Sequence, residues 1–354
     1  MSPGWLDDSL SGVSRSSLVH RSLLVLAGAL GACAGQSAAV AEPATPATRP
    51  GVAFASGRSD PLAAVGDSNA ERVKKRWEAA AGGRGRAVAI ERRRGRVAYS
   101  NGNEVLVYAL STGKRLPAIV GACHDVIRGG LAYAGQHLVI VCENGARIVR
   151  NASASELSIA PSKVTAAAFT EDRMALGHHD GVVRIYPFSG GEPIEIPVPG
   201  PPIDVKSLAL APDGARVAVA WIQGSIWWWE VEQPDAPHKL VRHESESDAL
   251  AFSGDGTLLA EEGESLTTTV WSFAGEPRET DKVKNGAWVK RIHFTRDSKW
   301  LVRGGSDGLE LAEIAGPRRV ALGTRGAVED VALDDEGHTI AAVDRDGRLT
   351  VWAP

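Results

Sequence analysis

The 354-residue chain has few of the features that mark an enzyme or a membrane-spanning protein. It contains neither a Gly-rich phosphate-binding loop nor a His-Glu-x-x-His zinc motif. Its apolar run Leu23 to Ala32 is shorter than the roughly 20 residues that a helix needs to cross a bilayer. Its formal net charge of −4 offers nucleic acid no general attraction. We therefore predict no catalytic residue, no resident metal, no cofactor and no nucleic-acid partner.

The apolar run follows His20 and Arg21, an order typical of a signal peptide. It ends in Leu30-Gly31-Ala32-Cys33, which resembles the bacterial lipobox. The resemblance implies that residues 1–32 are a lipoprotein signal peptide and that Cys33 is the lipidated mature N-terminus, with plain secretory cleavage as the alternative. Ala34 stands where retention signals of this class usually carry Asp, so the resemblance implies the outer membrane.

The region before the signal core leaves the start of translation open between Met1 and Val19, because Asp7 and Asp8 are atypical there. Residues 33–70 are rich in Ala, Pro, Thr and Ser. The prolines of this stretch disfavour regular structure, so we predict a flexible tether.

A block of about 40 residues recurs along the rest of the chain, which is typical of propeller blades. Each block begins with a short apolar strand that ends in a bulky residue: Ile90, Tyr133, Phe169, Leu210, Phe252, Phe294 and Leu333. A second mark keeps the same period at Tyr108, Arg150, Tyr186, Trp229, Trp271, Glu313 and Trp352. Turns with Asp or Gly lie between the two marks in most blocks.

Blocks such as residues 247–256 and 346–352 resemble WD-repeat propellers. The resemblance implies an all-β fold over residues 71–354: a seven-bladed β-propeller of four-stranded antiparallel blades. The last block stops after its third strand, at Val351-Trp352. We predict that residues 72–77 supply the missing strand and close the ring by pairing the two ends of the propeller.

The WD-repeat family carries a buried structural network in each blade. By that resemblance the network residues here are His124 and Cys142 in the second block and His243 and Trp271 in the fifth. Two other interpretations of Cys142 stay open: a thiol nucleophile activated by His124, and a disulfide with Cys123. The run His178-His179-Asp180 has metal-ligand chemistry, but adjacent histidines point apart in an extended chain, and a solvated turn is the simpler interpretation.

Two sets of residues are candidates for binding. Trp221 and Trp228 belong to a tryptophan-rich blade and form a candidate aromatic surface. Six polar residues open the inner strands and are predicted to ring one mouth of the central channel: Arg86, Thr165, Lys206, Asp248, Lys290 and Glu329. Gly129 occupies the remaining position.

We therefore predict a non-catalytic binding scaffold, anchored in the bacterial cell envelope by its lipid, that presents its loops to a protein or peptide partner. The alternative is a metal-dependent hydrolase or lactonase with Asp, Glu or His converging at the channel mouth. A converging acidic cluster would favour the enzyme, and a varied polar rim would favour the scaffold.

Overall fold

The computed structural model describes residues 64–354 apart from 67, 118, 120–122, 124, 136, 151–152, 158, 160–161, 264 and 335. The predicted signal peptide, Cys33, most of the tether and His124 lie outside this part of the chain. A turn of 3₁₀ helix, Ala70–Arg72, precedes the first strand. Within the described part of the chain, no helix is long and apolar enough to cross a membrane.

The strands are short and are numbered here in chain order. The first is β1 (Lys74–Ala80), followed by blade 1 with β2 (Ala87–Glu91), β3 (Arg96–Ser100) and β4 (Val105–Ala109), and by blade 2 with β5 (Val126–Ala134), β6 (His137–Cys142), β7 (Gly145–Arg150) and β8 (Ser153–Leu157). Blade 3 contains β9 (Val164–Phe169), β10 (Arg173–His178), β11 (Val183–Pro187) and β12 (Ile194–Ile196), and blade 4 contains β13 (Val205–Leu210), β14 (Arg216–Trp221), β15 (Ser225–Glu230) and β16 (His238–Arg242).

The second half of the ring follows the same order. Blade 5 contains β17 (Leu250–Phe252), β18 (Leu258–Gly263), β19 (Thr267–Ser272) and β20 (Arg278–Lys284), and blade 6 contains β21 (Val289–Phe294), β22 (Trp300–Gly305), β23 (Gly308–Glu313) and β24 (Arg319–Ala321). Blade 7 contains β25 (Val328–Leu333), β26 (Ile340–Asp344) and β27 (Arg348–Ala353).

These strands form seven antiparallel sheets among the described residues, and the propeller prediction is confirmed. The first strand of each blade packs against the first strand of the next, from β2 through β5, β9, β13, β17 and β21 to β25, which returns to β2. The inner strands therefore surround one central channel.

The ring closes as predicted, because β1 joins blade 7 as its outer strand. Lys74 pairs with Ala353 and Ala80 pairs with Arg348, so the closing strand is Lys74–Ala80 rather than residues 72–77. Blade 1 departs from the four-stranded pattern. Beyond β4 its outer strand is reduced to a bridge between Tyr108 and Arg115.

The core lies between the blades rather than at the centre of the molecule. Among the described residues, buried apolar side chains form seven clusters, one at each interface between neighbouring blades. Val65 and Ala70 belong to the cluster between blades 6 and 7, and the Val65 N–H donates to the Gly337 carbonyl at 2.7 Å. The packed body thus begins before residue 71, inside the stretch assigned to the tether.

Candidate functional site at the channel mouth

Bulges at the start of the inner strands position four of the six predicted rim residues. Thr165, Lys206, Lys290 and Glu329 are each the extra residue of a bulge, since their two chain neighbours pair with consecutive residues of the second strand. A bulge breaks the alternation of an extended strand and re-aims its side chains. Sequence periodicity marks these positions but does not show that they are bulged.

Blade 2 carries a larger irregularity in β5. Val126 pairs with Cys142, and the next pair is Leu131 with Ile140. Residues 127–130 therefore form a bulge of several residues, which carries Arg128. Gly129 within it has a φ of 66°, and a Cβ there would clash with the guanidinium of Arg291 from blade 6. The positive φ explains why the rim position of blade 2 is glycine, and the end of the Arg291 side chain lies against it.

A cavity of about 500 Å³ opens at this mouth. Its lining includes four of the predicted rim residues, Arg86, Thr165, Lys206 and Asp248. Its other charged residues come from the same and neighbouring blades: Arg84, Asp125, Arg128, Glu143, Lys163, Asp204 and Arg291. The rim is thus varied in residue type and of mixed charge.

Glu329 is not a free rim carboxylate, which corrects its assignment as an accessible partner-binding residue. It is 1% exposed and forms ion pairs with Lys290 (2.9 Å), Arg84 (3.1 Å), Arg345 (3.1 Å) and Arg128 (3.3 Å). Burial by itself raises the pKa of this carboxyl, but hydrogen bonds from Lys290 and Arg345 and the surrounding positive charge lower it to about 2. Lys290 belongs to the same cluster, and 12% of its side chain is exposed.

The remaining rim residues differ in how firmly they are held. Lys206 forms ion pairs with Glu246 and with Asp248, the latter at 2.9 Å. The Thr165 hydroxyl donates to the Val205 carbonyl of the next blade at 2.8 Å. Arg86 is half-buried, and its guanidinium has no hydrogen-bond or ion-pair partner within the described part of the chain.

The exposed apolar side chains were missed by the sequence interpretation. Among the described residues the exposed large hydrophobic side chains are Ile222 (42%) and Trp288 (50%). Ile222 directly follows β14 and lines the cavity, and Trp288 directly precedes the inner strand β21. Both therefore lie on the face where the channel mouth opens. Their spacing in the sequence carries no signal that would single them out.

The candidate aromatic surface is corrected by burial. Trp221 is 1% exposed, its indole N–H donates to the Gly181 carbonyl at 3.2 Å, and its ring packs edge-on against Trp229. Trp228 is half-buried: its ring stacks on His238, with centroids 4.4 Å apart, and meets Phe273 edge-on. Trp221 therefore packs between blades, while Trp228 lines a cleft on the outer side of blades 4 and 5.

The predicted structural network is not formed as the family pattern implies. Cys123 and Cys142 are joined in a disulfide, so Cys142 is neither a thiol nucleophile nor a hydroxyl-like hydrogen-bonding group. In blade 5 the ring of His243 pairs with buried Glu261 at 3.0 Å. The Trp271 indole N–H is buried without a hydrogen-bond partner among the described residues.

The side chains of the His178-His179-Asp180 turn diverge. Buried His178 contacts the Ser162 carbonyl through Nδ1 at 2.9 Å, while His179 contacts Asp204 and Asp180 contacts Arg184. No group of three or more His, Cys, Asp or Glu side chains within the described ranges is arranged to hold a metal ion.

The run Gly304-Gly305-Ser306-Asp307-Gly308 has the Gly-x-Ser-x-Gly spacing of a hydrolase nucleophile elbow. That elbow requires a turn from a strand into a helix. Here the run forms the hairpin turn between β22 and β23, so Ser306 lacks the context of such a nucleophile.

No protein-family model matches the chain, and no curated protein matches it. Among solved structures, a chain from a crystal structure of a mitotic checkpoint complex is similar, with a TM-score of 0.66 and 16% sequence identity. The match covers 89% of this chain and 99% of that chain. At this identity the likeness establishes the propeller fold and not the function.

Proposed function

We propose that the protein is a non-catalytic scaffold that binds a protein or peptide partner on the face around the channel mouth. The observation that carries this proposal is the coincidence of Ile222, Trp288 and the open polar cavity on one face. Exposed aromatic and aliphatic side chains beside a rim of mixed charge are typical of protein interfaces, where apolar contacts supply affinity and charges supply orientation.

The ion pairs of the rim also support a scaffold. Lys206 is held by Asp248, Lys163 by Glu143 at 2.8 Å, and Glu329 by its four cations, so much of the rim is pre-organised before any partner arrives. Pre-organised side chains lose less conformational entropy on binding, which favours recognition over a flexible surface of the same composition.

We further propose that Cys33 is lipidated and holds the propeller at the bacterial outer membrane, facing the periplasm or the surface. The support is the run Leu30-Gly31-Ala32-Cys33 after an apolar core and the Ala34 that follows it. Replacing Cys33 with Ser should move the protein from the detergent phase to the aqueous phase, because stable anchoring depends on the acyl chains. Unchanged partitioning of the variant would contradict lipidation at Cys33.

The binding face can be tested by site-specific photo-crosslinking in the native host. A photoreactive residue at position 222 or 288 should yield crosslinked protein adducts that can be identified by mass spectrometry. The matched control carries the same residue at Arg93, an exposed position in the turn between β2 and β3 on the opposite face.

The partner identified from the crosslinks is then purified, and its affinity is measured by calorimetry. Trp288→Ala should weaken it about tenfold or more, because aromatic side chains at interface centres contribute most of the affinity. Crosslinks from position 93 alone, or equal affinities for the parent and Trp288→Ala, would move the binding surface away from this face.

A further inference from the structure

One part of the mouth carries more positive charge than the protein itself neutralises. Six cationic side chains meet there, from blades 1, 2, 6 and 7 and the turn after β26: Arg84, Arg86, Arg128, Lys290, Arg291 and Arg345. Two carboxylates oppose them, Glu329 and Asp330. A further carboxylate of the cavity lining, Asp248, is held by Lys206. The excess lies on the wall of an open cavity in a protein whose formal net charge is −4.

The two carboxylates lie behind the cations rather than in the cavity. Glu329 and Asp330 are 1% and 2% exposed, whereas Arg86, Arg128 and Arg291 line the cavity. Glu329 holds Arg128 and Asp330 holds Arg291 from the inner side, while neither carboxylate forms an ion pair with Arg86 in the described part of the chain.

The three guanidinium groups also keep hydrogen-bonding capacity. The Arg291 Nε donates to Asp330 at 2.7 Å, which leaves its terminal nitrogens beside Gly129. Arg128 donates through Nη2 to Glu329, while its Nε is buried without a partner among the described residues.

Hydrogen bonds hold the backbone of Arg86, whereas its guanidinium group has no partner among the described residues. Its backbone N–H donates to the Ser100 carbonyl at 2.8 Å, and its own carbonyl accepts the Gly129 N–H at 3.2 Å. This second bond ties Arg86 to the bulge that carries Arg128.

The charged form of Arg128 is destabilised at this position, because burial and the positive charge of Arg291 both lower its pKa. A bound anion would relieve this repulsion.

We propose that Arg86, Arg128 and Arg291 bind a carboxylate of an acidic peptide segment that enters the channel mouth. This inference rests on the proposed function and names the chemistry of the partner. A planar guanidinium can match a carboxylate through paired hydrogen bonds, and in this wall Arg128 and Arg291 each already donate one hydrogen bond to a buried carboxylate. The rest of the lining carries Asp125, Glu143, Asp204 and Asp248, which disfavour a doubly charged phosphate more than a singly charged carboxylate.

The occupant is a peptide rather than a small anion because exposed apolar side chains lie on the same face as the cationic wall. Ile222 lines the cavity, and Trp288 lies two residues before Lys290 on the rim of blade 6. A segment with an acidic residue flanked by apolar side chains satisfies both features. The carboxylate comes either from an Asp or Glu side chain or from the C-terminus of the segment.

Calorimetry on the full chain with defined peptides tests the inference. The probes are capped hexaglutamate, capped hexaglutamine, hexaglutamine with a free C-terminal carboxylate, and inorganic phosphate. We expect capped hexaglutamate to bind, capped hexaglutamine not to bind, and affinity to fall as sodium chloride is raised. Binding of the free-carboxylate hexaglutamine in place of hexaglutamate would assign the site to a C-terminus.

Substitution of Arg86 supplies a second test of the carboxylate site. The Arg86 guanidinium has no partner among the described residues, so its loss should not disturb folding. Arg86→Gln should weaken hexaglutamate binding about tenfold or more, and Arg86→Lys should recover part of it, since charged hydrogen bonds are the strong ones. Arg93→Gln on the opposite face is the matched control and should bind as the parent does. Thermal unfolding confirms that each variant is folded.

Three outcomes would overturn the inference: binding of neither carboxylate-bearing peptide above that of capped hexaglutamine, unchanged binding by Arg86→Gln, or tighter binding of phosphate than of either carboxylate-bearing peptide. If crosslinking from position 288 still identifies a partner while neither hexaglutamate nor the free-carboxylate hexaglutamine binds, the carboxylate site is contradicted and the scaffold proposal stands. If crosslinking identifies no partner and neither carboxylate-bearing peptide binds, both the scaffold proposal and the carboxylate site are contradicted.

Discussion

Glu329 in blade 7 and Glu262 in blade 5 are equally buried, with 1% of each side chain exposed, yet their protonation differs. Four cations pair with Glu329, and its pKa falls to about 2. Glu262 accepts the Val289 N–H at 2.9 Å, but no Lys or Arg in the described part of the chain forms an ion pair with it. Burial therefore dominates and raises its pKa to about 7, with added repulsion from Asp248 and Glu261.

The difference shows that burial alone does not decide the charge of an inner-strand or second-strand carboxyl in this propeller. Whether the carboxyl is charged depends on the groups that the neighbouring blade presents to it. Blade 6 presents Lys290 toward Glu329, whereas the side of blade 6 that faces Glu262 presents a backbone N–H. A cation stabilises the ionised form far more than one neutral donor does.

The largest expected effect comes from breaking the charged cluster. Glu329→Gln should lower the free energy of unfolding at pH 7 by about 3 to 5 kcal/mol, because it leaves Lys290 and its neighbours without a counter-charge. Since the folded pKa is depressed, the stability that Glu329 contributes is present above its unfolded pKa and is lost as the pH falls toward 2. Urea denaturation from pH 7 to pH 3 should show the two proteins converging.

Glu156→Gln is the control for that substitution. Glu156 is 71% exposed and lies 3.9 Å from Arg147, so its loss should change stability by less than about 0.5 kcal/mol. Equal effects of the two substitutions would mean that the cluster around Glu329 contributes no more than an exposed ion pair.

Substitution of Glu262 should have the opposite effect and raise the free energy of unfolding. The folded pKa of Glu262 is raised, so its penalty is absent below the unfolded pKa near 4.5 and is complete above about pH 7. Glu262→Gln keeps an acceptor for the Val289 N–H and should raise stability by about 3 kcal/mol at pH 8 and by almost nothing at pH 4. A stability gain that does not depend on pH would show that the pKa of Glu262 is not raised in the folded protein.

Two cations of the cluster around Glu329 should contribute unequally to stability. The Lys290 side chain is 12% exposed and lies 2.9 Å from Glu329, whereas Arg345 is 57% exposed and lies 3.1 Å away. Lys290→Gln should cost about 1.5 kcal/mol, and Arg345→Gln about 0.5 kcal/mol, because solvent screens the exposed pair. Chemical denaturation of both variants at pH 7 measures this, and equal costs would show that exposure does not govern these pairs.

Several features of the site follow from tertiary contacts that no local pattern announces. The exception at Gly129 was visible in the sequence, but the bulge that gives this residue a positive φ was not. Trp221 was predicted to belong to an aromatic surface because its blade is rich in tryptophan. Its position on β14 instead places it between blades, where the ring is covered.

The sequence by itself determined the number of blades and the closure of the ring. Both follow from a period repeated seven times, because each strand must bury its apolar face against the next blade and an unpaired last strand must find a partner. Tertiary structure alone decided which rim charges are satisfied and which are open. The pairing of Glu329 with four cations, the disulfide of Cys142 and the free guanidinium of Arg86 depend on residues that are distant in sequence. A bulge of one residue is enough to turn a side chain toward or away from them.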